Sequence, residues 1–163
     1  VGLEVTVDVP QILGRAHLLE QVIVNLVLNA VDATPRGVIV LGARSWEYER
    51  RAPPRRDTDP EGADFARGSV RRPGRVEFSA GERGALLFIA DSGPGVAAGD
   101  RERIFDPFFT TKAPGRGTGL GLAIVARAVD DMGGVVWVDT AREGGAAFKM
   151  FFPAADGARH ASQ

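Results

Sequence analysis

The chain has 163 residues, 44% of them hydrophobic, with a net charge of −1, no cysteine and two histidines, His17 and His160. That is enough apolar material for one domain with its own core. The near-neutral charge gives no handle for nucleic acid or an acidic membrane surface, and the lack of cysteine excludes disulfide scaffolds, thiolate zinc sites and thiol catalysis. No apolar run reaches the roughly 18 residues of a membrane span and no signal peptide leads the chain, so the expectation is a soluble, cytoplasmic domain. Its opening directly in strand-like sequence reads as a fragment of a longer protein.

Taken in order, Leu3-Glu-Val-Thr-Val-Asp8 alternates with period two and predicts a strand. Residues 15–33 carry helical apolar spacing and predict a largely buried helix, closed by Thr34-Pro35-Arg36-Gly37 because proline cannot continue it. A strand is expected from Val38 to about Tyr48 and another over 85–91. Between them, residues 49–75 hold eight arginines, five acids and four prolines with little to bury, which predicts a loop or disordered insertion. A second helix is expected over 118–132, stopped by Gly133-Gly134, and then a hairpin, 135–139 and 147–152, around Glu143-Gly-Gly145. The small, polar tail after Pro153 predicts fraying. Helices and strands without strict alternation predict an α+β sandwich on one mixed sheet.

Four short motifs carry the chemistry. The first is Gln21-Val-Ile-Val-Asn25-Leu-Val-Leu-Asn29. At about 100° per residue, Gln21, Asn25, Asn29 and Asp32 fall within about 80° of one another on the first helix. Such amides either bond neighbouring backbone or offer a hard carbonyl oxygen, from Asn29 or Asn25, to Mg²⁺ beside nucleotide phosphates. The second is Leu86-Leu-Phe-Ile-Ala-Asp91, an apolar strand ending in a carboxylate and followed by Gly93 and Gly95. It is an ordinary strand-end turn, or an acceptor for the adenine amino group flanked by glycines that admit a flat base.

The third motif, Phe105-Asp-Pro-Phe108-Phe109-Thr-Thr-Lys112, supplies an aromatic cluster that is either core or the pinned end of a hinged flap. The fourth, Gly115-Arg116-Gly117-Thr118-Gly119-Leu120-Gly121-Leu122, lies at a helix start, where free N–H groups favour phosphate. It is not a P-loop, since no Gly-Lys-Ser/Thr follows, and not a dinucleotide fingerprint, since no strand directly precedes it. Lys112 and Arg116 are the cations placed to reach a phosphate from the flap.

In order and spacing the four motifs resemble the N, G1, F and G2 boxes of bacterial sensor histidine kinases. The nitrogen-regulation and dicarboxylate-sensing type, whose F box commonly reads Phe-Thr-Thr-Lys, is the nearest in pattern. The resemblance covers about residues 12–153. It implies a two-layer α/β sandwich with a mixed β-sheet covered by helices on one face, the Bergerat-type ATP-binding fold shared by gyrase, histidine kinases and mismatch-repair MutL. The domain would run over 1–153 with its insertion at about 49–75, followed by a flexible tail, 154–163.

The same resemblance implies ATP and Mg²⁺ as cofactors and Asn29 as the metal ligand. It assigns Asp91, with Gly93 and Gly95, to the adenine. Gly117, Thr118, Gly119, Leu120 and Gly121 become the phosphate turn, and about 96–117 the ATP lid. Asn25, Lys112 and Arg116 occupy its catalytic positions. The partners implied are a histidine-bearing dimerisation domain of the same protein and a response regulator receiver domain. The full-length protein would be a homodimer, with or without a membrane anchor.

Three departures stand out. Asp32 occupies a position where many sensor kinases carry lysine, Gly145-Ala146-Ala147-Phe148 lacks the threonines common in the last glycine box, and the insertion is long. Hydrolases of the superfamily place a water-activating glutamate four residues before the metal asparagine, where this chain has Asn25, and an amide is no general base at neutral pH. Glu20 points away from the site stripe. The expected activity is therefore phosphotransfer by a protein histidine kinase, with an ATP hydrolase or a non-catalytic nucleotide-binding module as alternatives. His17, followed by Leu-Leu, reads as a helix cap or packing residue and His160 as tail, so the acceptor histidine is expected elsewhere.

Overall fold

The computed structural model describes residues 2–3, 9–48, 70–71, 78, 81–112, 117–142 and 144–155. The elements are β1 (Gly2–Leu3), α1 (Ala16–Ala33), β2 (Ile39–Tyr48), β3 (Val70–Arg71), β4 (Glu82–Asp91), α2 (Gly121–Asp131), β5 (Val135–Thr140) and β6 (Ala146–Pro153), with a short 3₁₀ turn at Ala98–Asp100. They build one six-stranded sheet in the order β1-β2-β4-β6-β5-β3. β1 runs parallel to β2 and the other pairings are antiparallel, so the sheet is mixed as expected.

Alternation along the strands sorts the side chains between two faces. Leu87 and Ile89, Val136 and Val138, and Phe148, Met150 and Phe152 point to the helices and meet Val22, Leu26 and Ala30 of α1 and Val125 and Val129 of α2. Leu86, Val135, Trp137 and Phe151 point the other way and join Tyr48, Phe78 and the half-buried Trp46 in a second cluster. Its rings lie close, with Tyr48 4.9 Å from Phe78 and Trp46 5.7 Å from Phe151 between centroids, within the range of favourable aromatic pairs. At its rim Asp139 Oδ2 accepts from Lys149 Nζ at 2.7 Å and Trp137 Nε1 at 3.1 Å. This apolar second face went unread in the sequence.

Four expectations need correction. The first helix is not largely buried: Val24, Leu28 and Val31 are 55%, 59% and 48% exposed. In a one-sided sandwich a helix has a single face to bury, and here Val22, Leu26 and Ala30 take it. The second helix begins at Gly121 rather than 118, because the Thr118 hydroxyl accepts from Leu120 N–H at 3.3 Å and holds a turn instead. Within the 49–75 stretch, Val70 and Arg71 pair with Val138 and Trp137 as an edge strand; the remainder lies outside the described residues. The tail begins later than Pro153, since Ala154 N–H bonds Arg83 O and Ala155 N–H bonds Gln11 O.

The stops follow their sequence signals. Gly133, at φ 70°, closes α2 with its N–H on Asp130 O while Gly134 N–H reaches Val129 O, a paired carbonyl cap open to glycine. The strand expected over 3–8 is seen only at Gly2–Leu3, paired with Val40 and Leu41; residues 4–8 lie outside the described residues.

Candidate functional site

On α1, with Gln21 at 0°, the buried stripe centres near 140° and the exposed apolar stripe near 310°. The amides of Asn25 and Asn29 stand between them at about 40° and 80°, half-buried at the edge of the layer. Asn25 Nδ2 donates to Gln21 O at 2.8 Å, which turns its carbonyl oxygen toward the start of α2. Gly121 is the residue met there: a Cβ on it would come within 3.3 Å of Asn25 Oδ1 and 3.9 Å of Asn29 Nδ2. A side chain at position 121 would fill the gap between the amides and the helix N-terminus.

Across the gap, Asp91 ends β4 and is 3% exposed. Its Oδ1 accepts from Gly93 N–H at 2.8 Å, Ala146 N–H at 3.3 Å and the Thr34 hydroxyl at 3.5 Å. These donors come from the following turn, the start of β6 and the end of α1. Because they converge on one oxygen, Oδ2 remains for a ligand.

The amides and the carboxylate face one cleft of about 990 Å³, large enough for a nucleotide. Asn25, Asn29, Asp32, Asp91, Gly95, Lys112, Gly117, Thr118, Gly119 and Gly121 all line it, joined by Val96, Ile104, Phe109, Leu122, Ala146 and Phe148. Two expected residues do not line it. Gly93 is folded under the Asp91 carboxylate, and Leu120 turns its N–H onto Thr118. Arg116 lies outside the described residues.

The flap motif separates into three roles. Phe105 is 1% exposed and packs edge-on against Phe148 at 6.4 Å. Phe109 is half-buried with the Arg103 guanidinium 4.8 Å over its ring. Phe108 is 75% exposed, at φ 66°, and its N–H bonds Gly119 O at 2.9 Å. This bond staples the two ends of the flap together. Gly119 sits at φ 65°, and a Cβ there would overlap the Phe108 backbone, so the staple requires glycine. Beyond it, Lys112 Nζ reaches Asp32 Oδ2 at 2.7 Å.

Thr34 was read only as part of a helix stop, and Ala146 and Phe148 only as a glycine box lacking threonine. Their signal was adjacency to the amide helix and to that box. His17 is exposed in the first turn of α1, where Arg15 is the N-cap residue and no side chain caps; it neither caps nor packs. Among the described residues no cluster of three or more histidine, cysteine or acidic side chains offers a metal cage, and no helix is long and apolar enough to cross a membrane. The Asn25 amide oxygen, with the Asn29 amide beside it in an open cleft, fits Mg²⁺ of the kind that arrives with phosphates and keeps most of its waters.

A one-sided sandwich whose cleft joins an amide-bearing helix, a buried strand-end carboxylate and a glycine turn at a helix start is an ATP-binding domain. Residues 14–156 match the family model described as histidine kinase-, DNA gyrase B-, and HSP90-like ATPase, and the chain belongs to that family. It is 36% identical over 135 residues to the sensor kinase CckA of Brucella abortus, covering 82% of this chain and 12% of that one. It is 34% identical over 144 residues to the C4-dicarboxylate transport sensor protein DctB of Rhizobium meliloti, covering 88% and 18%. Among solved structures, the mycobacterial sensor histidine kinase MprB superposes with a TM-score of 0.59 at 29% identity, over 93% of this chain and 80% of that one. The chain spans well under a third of the length of the curated relatives it matches.

Proposed function

We propose that this chain is the catalytic domain of a two-component sensor histidine kinase, binding ATP with Mg²⁺ and presenting the γ-phosphate to a histidine on a separate dimerisation domain. The observation that carries this reading is the single cleft facing Asn25, Asn29, Asp91, Gly119 and Lys112, with an amide rather than a carboxylate at position 25. The domain is proposed to extend through about residue 155, with its insertion between β2 and β3, and to work in the cytoplasm as part of a homodimer whose phosphohistidine serves a response regulator receiver domain.

Asp91 Oδ2 accepts from the adenine amino group, with Gly95 beside the base. Asn29 supplies an oxygen to the metal, and Asn25 adjoins it. Gly117, Thr118, Gly119 and Gly121 give the phosphates a close approach to the N-terminus of α2, where the helix dipole favours anions. Mg²⁺, when bound, offsets phosphate charge and orients the transferred group. Lys112 adds a cation from the flap, and Arg116 a second. Asn25 cannot take a proton from water, so ATP is held for another acceptor. Transfer then depends on that acceptor being brought in line.

The test uses labelled ATP and Mg²⁺. Alone, the chain binds nucleotide, turns it over very slowly and does not label itself. With the histidine-bearing domain of its parent protein added, an acid-labile, alkali-stable phosphate forms on that domain. Rapid turnover by the chain alone would make it a hydrolase, and binding without transfer would make it a nucleotide-sensing module.

A further inference from the structure

Asp32 lies in the last turn of α1 and Lys112 on the flap, and both line the cleft. Their side chains meet across its rim, Nζ to Oδ2 at 2.7 Å, with 37% of the lysine and 61% of the aspartate side chain exposed. An ion pair this exposed is weak, because water screens it and two side chains must be ordered to form it. It is therefore poor as a structural staple and easily exchanged. Asp32 stands on the same helix face as Asn25 and Asn29, one turn beyond Asn29, so carboxylate and bound phosphate draw on the same ammonium group. Among the described residues that line the cleft, Lys112 is the sole cation.

We infer that Asp32 tempers ATP affinity at the nucleotide site by competing with bound phosphate for Lys112. It engages Lys112 in the empty cleft and gives up the lysine to a ligand that brings phosphate charge to the rim. A nucleoside lacking phosphates fills the base pocket but leaves the pair closed. A triphosphate, carrying more charge than one carboxylate, takes the ammonium from Asp32. This inference rests on the ATP reading above.

Titration calorimetry on the whole chain with ATP and with adenosine, both with Mg²⁺, tests it in four proteins: unmodified, Asp32→Asn, Lys112→Met and the double variant. Asp32→Asn raises ATP affinity about two- to fivefold, the span of an exposed ion pair, and leaves adenosine affinity unchanged. Lys112→Met lowers ATP affinity, and in that background Asp32→Asn adds less than half of its former gain. A gain of full size without Lys112 would reduce Asp32 to like-charge repulsion. A loss of ATP affinity in Asp32→Asn would make the pair a preassembled phosphate clamp. Either result overturns the inference. Failure of the unmodified chain to bind either ligand would instead overturn the ATP reading itself, and this inference with it.

Discussion

Asp91 shows how much of a site one side chain can settle. Gly93 and Ala146 N–H groups and the Thr34 hydroxyl all reach the same oxygen. In Asp91→Asn those donors still demand an acceptor, so the amide oxygen stays with them and the NH₂ group turns to the cleft. There it meets the adenine amino group donor to donor. The expected outcome is a fold that survives and an ATP affinity about 10- to 100-fold lower, the worth of one buried hydrogen bond lost and one donor stranded. Calorimetry beside a circular dichroism melt checks it, and unchanged affinity would remove the base-contact role. Asn29→Ala separates metal from base: nucleotide binding should persist while its dependence on Mg²⁺ flattens in titrations across metal concentration. If that dependence is intact, the ligand moves to Asn25.

At the scale of elements, the flap and the second sheet face answer to different forces. The flap motif is tied to the glycine turn by a bond between Phe108 and Gly119, each at positive φ. Gly119→Ala adds a left-handed penalty and an overlap with Phe108, together about 1–3 kcal/mol. That cost falls on a segment outside the core, so nucleotide affinity should drop by roughly tenfold or more while the melting temperature moves little. The second face depends on the nearly buried Lys149–Asp139 pair, whose side chains are 13% and 6% exposed. Lys149→Met takes one cation from a buried carboxylate and should cost up to about 3–5 kcal/mol in denaturant unfolding. Adding Asp139→Leu should recover most of that loss with ATP affinity unchanged. A single variant as stable as the parent would show that Lys149 is not what holds the aspartate's charge.

Over the whole molecule, the legible features were those set locally. The amide spacing on α1, the apolar run ending at Asp91 and the glycines opening α2 each announce themselves within a dozen residues, and the cleft collects them. What was not legible depends on partners far along the chain. The exposure of Val24, Leu28 and Val31 follows from how many layers cover α1, which helical spacing does not report. The second aromatic face needs Tyr48, Phe78, Trp137 and Phe151 brought from four segments. The pairing of Val70 and Arg71 with Val138 and Trp137 likewise joins a polar stretch to a strand formed much later. Thr34 was in plain view yet read as a stop, because its hydroxyl matters only where β4 ends beside it.

The Asp91 knot has a consequence for how such a domain lives on its nucleotide. One carboxylate ties the end of β4 to the start of β6, adjacent central strands of the sheet, and its other oxygen is the one we propose receives the base. Recognition and cohesion are thus one wiring. Occupancy should raise the unfolding free energy logarithmically with ATP concentration, by about 2.7 kcal/mol at a hundredfold excess over the dissociation constant, and a thermal-shift series would trace it as a rising melting temperature. A flat series would mean that ATP binds folded and unfolded chains alike. The seam therefore restricts what position 91 can become: only a residue that keeps the inner acceptor oxygen, as asparagine would, can change what faces the base without parting these two strands.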